Sequence, residues 1–265
     1  MVMKGQAVYI YGFAGEFFDI PEYEGIDERN NVYIEDYDGI YAVESKVELD
    51  EFGSPYIDEN LENVSWLKNK ARIHMDVIKN VMEYTQIIPL KFCTIFYDDS
   101  KIKEFVMELK DKLIENLSSL QGKEEWSCKM YWDKKGFLNN YMNEEKEKDK
   151  ENMTNMSEGA AYFLKKKLEI NLNKKAINKV NFIIGKVTDT LKDLVLEVKS
   201  NKILAKELTE REEDMVMNLS LLIDYAEKDL FLEKMNELSS KVRGHGLILK
   251  LSGPWPPYNF VENLK

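Results

Sequence analysis

The chain is poor in the residues that most often carry chemistry: among 265 residues there are two cysteines and two histidines. Cys93 and Cys128 form no Cys-x-x-Cys pair and the histidines show no ligand spacing, so a structural zinc site is not expected. Both cysteines sit in apolar runs and are expected to be buried, reduced thiols. No apolar run reaches the roughly 18–20 residues of a membrane span. The start, Met1-Val2-Met3-Lys4-Gly5, has no secretory apolar region, so cytoplasmic residence is expected. The phosphate-binding loop Gly-x-x-x-x-Gly-Lys-Ser/Thr, the dinucleotide fingerprint Gly-x-Gly-x-x-Gly and the hydrolytic motifs Gly-x-Ser-x-Gly and His-Glu-x-x-His are all missing. The acids between Glu16 and Asp38 do not follow calcium-loop spacing. These absences predict a chain with no catalytic, cofactor-binding or metal-binding residue, and no enzymatic activity.

What is present is charge, unevenly placed. Lysine and arginine total 37 against 48 acids, a net charge of −11. Residues 16–62 hold sixteen acids and two bases, whereas residues 165–206 hold eleven lysines and four acids. Such segregation suggests attraction between the two segments or toward neighbours, and it also serves solubility. Hydrophobic residues make up 44% of the chain, enough to bury substantial cores.

Residues 6–12 are β-branched and aromatic and predict a first strand. Two short runs, 31–35 and 39–43, are separated by Asp36-Tyr37-Asp38-Gly39, a hairpin signal. Residues 59–84 are helical, with Leu67, Ala71, His74, Ile78 and Val81 on one face. His74 lies in that stripe, where a histidine usually serves as a core residue with a hydrogen-bonded ring nitrogen. After Pro89, residues 90–96 predict a strand. Asp98-Asp99-Ser100 offers a cap for a helix over 102–120, ending at Gly122.

Trp126, Cys128, Met130 and Trp132 alternate on one face of a strand over 124–132. Residues 143–152 contain no apolar residue and mark a charged insertion. A long helix over about 157–197 leads into a seam at Ile177, Val180, Ile184, Val187, Leu191, Leu194 and Val198. That seam fits a helix laid across a sheet or, alternatively, an intermolecular coiled coil. A short strand over 198–204, a strand at 215–223, a helix at 226–242 and a strand at 247–251 complete the chain. His245, between two glycines, reads as a turn residue. The predicted class is α+β in two domains. Residues 1–122 form a mixed α+β unit, and 123–265 a ferredoxin-like βαββαβ unit with a long first helix and a Pro/aromatic tail. Strands 215–223 and 247–251 are expected side by side.

Three of the six prolines fall within Gly253-Pro254-Trp255-Pro256-Pro257-Tyr258-Asn259-Phe260. Proline fixes φ and extends the preceding residue, so this octet predicts a stiff rod carrying three aromatics, with the strand stopping at Pro254. The octet after an alternating strand resembles the C-terminal signature of the gas vesicle protein F/L family. Trp66, Ala71, His74, Pro89 and Phe92-Cys93-Thr94-Ile95-Phe96 resemble its Trp, Ala-x-x-His, Pro and Phe-Gly-Thr-x-Phe positions, with Cys93 replacing the glycine. Gly122-Lys123-Glu124 and Gly159-Ala160-Ala161-Tyr162-Phe163 are similar to two further segments of the family.

The resemblance implies a non-enzymatic accessory protein of gas vesicle assembly, located in the cytoplasm and on gas vesicles. It implies binding of the small hydrophobic shell protein and other vesicle accessory proteins early in shell formation, with protection against aggregation. Trp255, Pro256, Pro257, Tyr258 and Phe260 are the expected partner-binding residues if the rod is exposed, because exposed aromatics on a rigid segment lose little freedom on docking. If the rod folds back, Trp255, Tyr258 and Phe260 instead seal a seam. A nucleic-acid-binding ferredoxin-like module using the lysine-rich helix is the alternative function. The acidic balance and the missing aromatic RNA signature weigh against it. An enzyme with an unrecognised pocket is the other rival. No membrane or nucleic acid is expected among the partners.

Overall fold

The computed structural model describes residues 5–138, 158–261 and 264. The charged run at 143–152 lies outside the described residues. The chain divides into two compact units, Met1–Glu125 with Pro254–Lys265, and Trp126–Gly253. The fold is mixed α+β with two antiparallel sheets.

In the first unit, β1 (Gln6–Ala14) is the central strand. It pairs on one edge with β3 (Tyr41–Glu48), which continues to β2 (Val32–Asp36). On its other edge lie β4 (Ile87–Pro89) and β5 (Ile95–Phe96). The β2–β3 hairpin closes as predicted: Asp38 and Gly39 both take positive φ, +60° and +85°. That is the turn geometry favoured by Asp-Gly.

Helices cover both faces of this sheet. Ala7, Tyr9 and Tyr11 pack against α3 (Val64–Met82) through Ile73, Val77, Ile78 and Val81. Val8, Ile10 and Phe13 pack against α4 (Asp99–Leu120) through Ile102, Val106, Leu109 and Leu113. The parity of β1 changes between Ile10 and Phe13 because its register with β3 shifts between Ile10 and Gly12. A bulge inserts one residue and swaps the faces beyond it. Since β1 is buried on both faces, its sequence shows a continuous apolar run without alternation.

Three expectations for this unit are corrected. The helix predicted over 59–84 is two helices, α2 (Tyr56–Glu62) and α3, after α1 (Leu49–Phe52). They break at Asn63, whose side chain caps α3 by accepting from the Ser65 and Trp66 amides. The buried face of α3 includes Lys70 in place of Leu67 and Ala71, which are only half-buried. The strand predicted over 90–96 is interrupted. Pro89 belongs to β4, and residues 91–94 form a turn in which the Thr94 amide and hydroxyl both donate to the Lys91 carbonyl, at 3.2 and 2.6 Å. Cys93 sits in that turn with φ +63° and is half-buried, whereas Cys128 is fully buried; both are free thiols.

The second unit runs β6 (Lys123–Trp132, entered from the first unit), α5 (Glu158–Leu194), β7 (Glu197–Ser200), α6 (Lys206–Thr209), β8 (Asp214–Asp224), α7 (Lys228–Arg243) and β9 (Leu247–Trp255). The sheet order is β7-β8-β6-β9. One core joins Trp126, Cys128, Met130 and Trp132 of β6 to Met217, Leu219, Leu221 and Ile223 of β8 and to Leu247 and Leu249 of β9. Helix α5 closes it with Val180, Val187 and Leu191, and α7 with Phe231, Met235 and Val242.

The expected pairing of 215–223 with 247–251 does not occur, because β6 lies between them. Each strand–helix–strand crossover leaves a gap one strand wide: β8 fills the one between β6 and β7, and β6 fills the one between β8 and β9. Strand β9 also continues through Pro254 to Trp255, past its predicted end. It is an edge strand, where a proline's missing N–H can face outward and no ladder bond is lost.

Candidate functional site

The C-terminal octet begins as the end of β9 and continues onto the first unit. Pro256, Pro257 and Phe260 are buried, Trp255 is half-buried, and Tyr258 keeps 37% of its surface open. The rod ends in a turn: the Phe260 and Val261 amides both donate to the Pro257 carbonyl, at 3.1 and 3.2 Å. Lys79 of α3 stands over the Trp255 ring, 4.5 Å from its centroid. This cation–π contact covers the ring that a bare rod would leave open.

Two anchors hold the segment. Glu125 is buried, and its two carboxylate oxygens accept from the Asn259 backbone amide at 3.0 Å and side-chain amide at 2.5 Å. A buried carboxylate needs such donors to offset its lost hydration. The second anchor is His74, only 2% exposed. Its Nδ1 lies 2.9 Å from the Tyr9 hydroxyl and its Nε2 lies 2.8 Å from the Tyr258 hydroxyl.

The surrounding partners assign the protons. The Cys93 amide donates to Tyr9 Oη at 3.0 Å, and Tyr258 Oη donates to the Leu90 carbonyl at 3.2 Å. Tyr9 therefore gives its hydrogen to Nδ1, and Nε2–H donates to Tyr258. The chain from the Cys93 amide to the Leu90 carbonyl satisfies every member with a neutral imidazole. Around it pack the rings of Tyr11, stacked at 5.8 Å, and of Tyr9 and Phe92, each edge-on at 5.7 Å.

Burial pushes His74 down to about 4, with the Leu90 carbonyl pulling weakly the other way. Burial likewise raises the Tyr9 and Tyr258 hydroxyls, and lifts the Cys93 thiol to about 11. At neutral pH the network is uncharged, and both imidazole nitrogens are occupied. Its chemistry is that of a lock between chain segments. Among the described residues, no group of three or more His, Cys, Asp or Glu side chains could hold a metal ion. Nor, among them, is any helix long and apolar enough to cross a membrane.

Residues 7–262 match the family of gas vesicle synthesis protein GvpL/GvpF. The chain belongs to the GvpL/GvpF family. Its role is therefore in gas vesicle formation. Gas vesicle protein L of Haloferax mediterranei is 24% identical over 247 residues, covering 91% of this chain and 73% of that protein. Gas vesicle protein F of Dolichospermum flosaquae is 24% identical over 264 residues, covering 96% and 97%. The crystal structure of GvpF from Anabaena sp. PCC7120 shares the fold with a TM-score of 0.69 at 20% identity, over 98% of this chain and 97% of that one.

Several residues that carry the GvpL/GvpF resemblance in the sequence lie together in the first unit, whereas Gly159–Phe163 belong to α5 of the second. His74 meets Tyr258, and Phe92 packs on His74. The Trp66 indole donates to Glu51 at 2.9 Å. Cys93 occupies a left-handed backbone position that a glycine adopts without strain, which gives the motif's glycine a physical reason. Glu125, Tyr9 and Lys79 were not singled out by sequence reasoning. They bond to residues far away in the chain, and neither spacing nor periodicity signals such pairings.

Proposed function

We propose that this GvpL/GvpF protein is a non-enzymatic accessory factor of shell assembly. It acts in the cytoplasm and at the gas vesicle, binding the small shell protein and other vesicle accessory proteins early and limiting shell-protein aggregation. The match over residues 7–262 carries this reading. The second unit we take as ferredoxin-like, its strand–helix–strand–strand–helix–strand order supporting the description. The boundary near Gly122 then separates this unit from an N-terminal α+β domain.

For the docking surface we propose the rod Trp255, Pro256, Pro257, Tyr258 and Phe260. In this reading the buried Pro256, Pro257 and Phe260 hold the segment rigid, and the open edges of Trp255 and Tyr258 meet the partner. A preorganised aromatic edge loses little entropy on binding. Pairwise co-expression with each vesicle protein and co-purification tests the reading. The wild-type chain should retain the shell protein, and Trp255→Ala should release it while keeping the fold. Trp255 is only half-buried, so its truncation should cost no more than about 2 kcal/mol. Retention by the variant would remove the rod from the docking surface, and no retention by the wild type would remove the shell protein from the partners.

A further inference from the structure

We propose that the outer face of α5 is a second docking surface, built for an acidic amphipathic helix. This goes beyond the assembly role argued above and uses none of the rod residues.

Helix α5 is 37 residues long, yet its buried positions begin only at Leu172 among those whose burial is described. Leu172, Ala176, Val180, Val187 and Leu191 meet the sheet core. Beside that face runs a second apolar line at a spacing of seven: Phe163, Ile170, Ile177 and Ile184. Phe163, Ile170 and Ile177 are exposed by 75%, 62% and 42%, and Ile184 is half-buried where the line converges on the core. Tyr162 adds an exposed ring edge-on to Phe163, their centroids 6.2 Å apart. Large side chains repeating on one helical line in water mark an interaction surface.

The charges beside the line name the partner. Lys166, Lys167 and Lys174 are exposed next to it, and none of them has an ion-pair partner among the described residues. Lys167 and Lys174 follow Phe163 and Ile170 by four residues, the flanking position from which a coiled-coil residue reaches a charge on the facing helix. The complement is a helix with an apolar seam and carboxylates along its edges. The line is one residue wide, because Lys166 and Asn173, three residues after Phe163 and Ile170, are polar. A helix lying in a lipid surface needs a broader apolar face, so the stripe fits a helical seam better than a membrane. From Phe163 to Ile184 it spans about 30 Å, long enough for about three heptads of partner.

The test uses the full chain and two labelled synthetic peptides of about four heptads, both with leucine at the seam. One carries glutamate at the flanking positions and the other lysine. Fluorescence anisotropy should show saturable binding of the acidic peptide, weakened roughly tenfold by high salt, and little binding of the basic one. Ile170→Glu should abolish binding without lowering the melting temperature, since the site is exposed. The pair Lys167→Glu and Lys174→Glu should invert the preference toward the basic peptide. Equal binding of both peptides, or binding of neither, would overturn the proposal. So would a wild-type dimer in solution that Ile170→Glu dissolves, which would make a second copy the occupant. Preferential binding to phosphatidylserine vesicles would reassign the surface to lipid. Retention of the shell protein in the co-purification above is read independently, so either proposal can fail alone.

Discussion

At the scale of single residues, two buried ionisable groups set opposing pH slopes. His74 has an ordinary pKa of 6.5 and is pushed to about 4 by burial. As pH falls through that window the unfolded chain takes up a proton that the folded chain refuses, so stability is full above it and declines below it. The loss should approach about 3 kcal/mol. Chemical denaturation between these pH values should show it, and His74→Gln should flatten the slope. Glu44 behaves in reverse: burial raises it from 4.5 to about 8, opposed by Lys46 and reinforced by Asp99 and Glu35. Between those values the unfolded chain has lost a proton that the folded chain keeps, so stability falls as pH rises. One Glu44 oxygen, Oε2, has no hydrogen-bond partner among the described residues. Glu44→Gln should therefore raise the melting temperature at pH 8 and change it less at pH 5. A variant equally stable or unstable at both would show that Glu44 ionises freely in the fold. At Cys93 the strain is in the backbone, and Cys93→Gly should relieve about 1 kcal/mol, partly offset by the greater freedom of glycine in the unfolded chain. Thermal melts showing marked destabilisation instead would mean the side chain packs usefully.

At the scale of elements, Gly12 shows what the bulge in β1 requires. A Cβ there would stand 2.4 Å from the Ile88 carbonyl oxygen and 2.8 Å from the Ile87 side chain. Backbone cannot yield as a flexible side chain does, so Gly12→Ala should push β4 off β1 at a cost of about 3 kcal/mol or more. Urea denaturation would register that as a lowered midpoint; an unchanged midpoint would mean that β4 shifts freely. This bulge also limits what the sequence reveals. In the second unit Trp126, Cys128, Met130 and Trp132 alternate because one face of β6 meets the helices, and the pattern was legible. Strand β1 is covered on both faces and changes parity midway, so it reads only as apolar. Lys70 was illegible for another reason: a lysine looks like surface, yet its side chain is 5% exposed and its ammonium lies 3.2 Å from Glu51 and 3.4 Å from Glu28. The strand order was misjudged because alternation identifies a strand without naming its neighbours. The prolines predict a rod where the structure has the end of β9 and a turn over 258–260, and the octet's partners His74 and Glu125, 184 and 134 residues away, leave no signal in the sequence.

At the scale of the molecule, the chain leaves the first unit along β6 and returns to it along β9, and these two strands are neighbours in one sheet. The first unit is therefore completed only by the last twelve residues of the chain, Pro254–Lys265. Removing them would strip His74 Nε2 of Tyr258, Glu125 of both Asn259 donors, and the first-unit core of Phe260. A buried acceptor or donor left unpaired costs about 1–3 kcal/mol, and losing a buried phenylalanine costs about 3–5 kcal/mol. These losses all fall on the first unit, and a chain ending at Gly253 keeps the Trp126–Gly253 core whole. The truncated protein should thus lose hydrogen-exchange protection in β1, α3 and the 87–96 segment, while β8 retains its protection. The double variant Tyr258→Phe with Asn259→Ala should reproduce the pattern more weakly, since it removes the Tyr258 hydroxyl and the Asn259 side-chain donor and keeps the residue-259 backbone amide and Phe260. If instead β8 and β1 lose protection together and equally, the two units unfold as one, and the tail is a strap for the whole protein and not the last piece of its first unit.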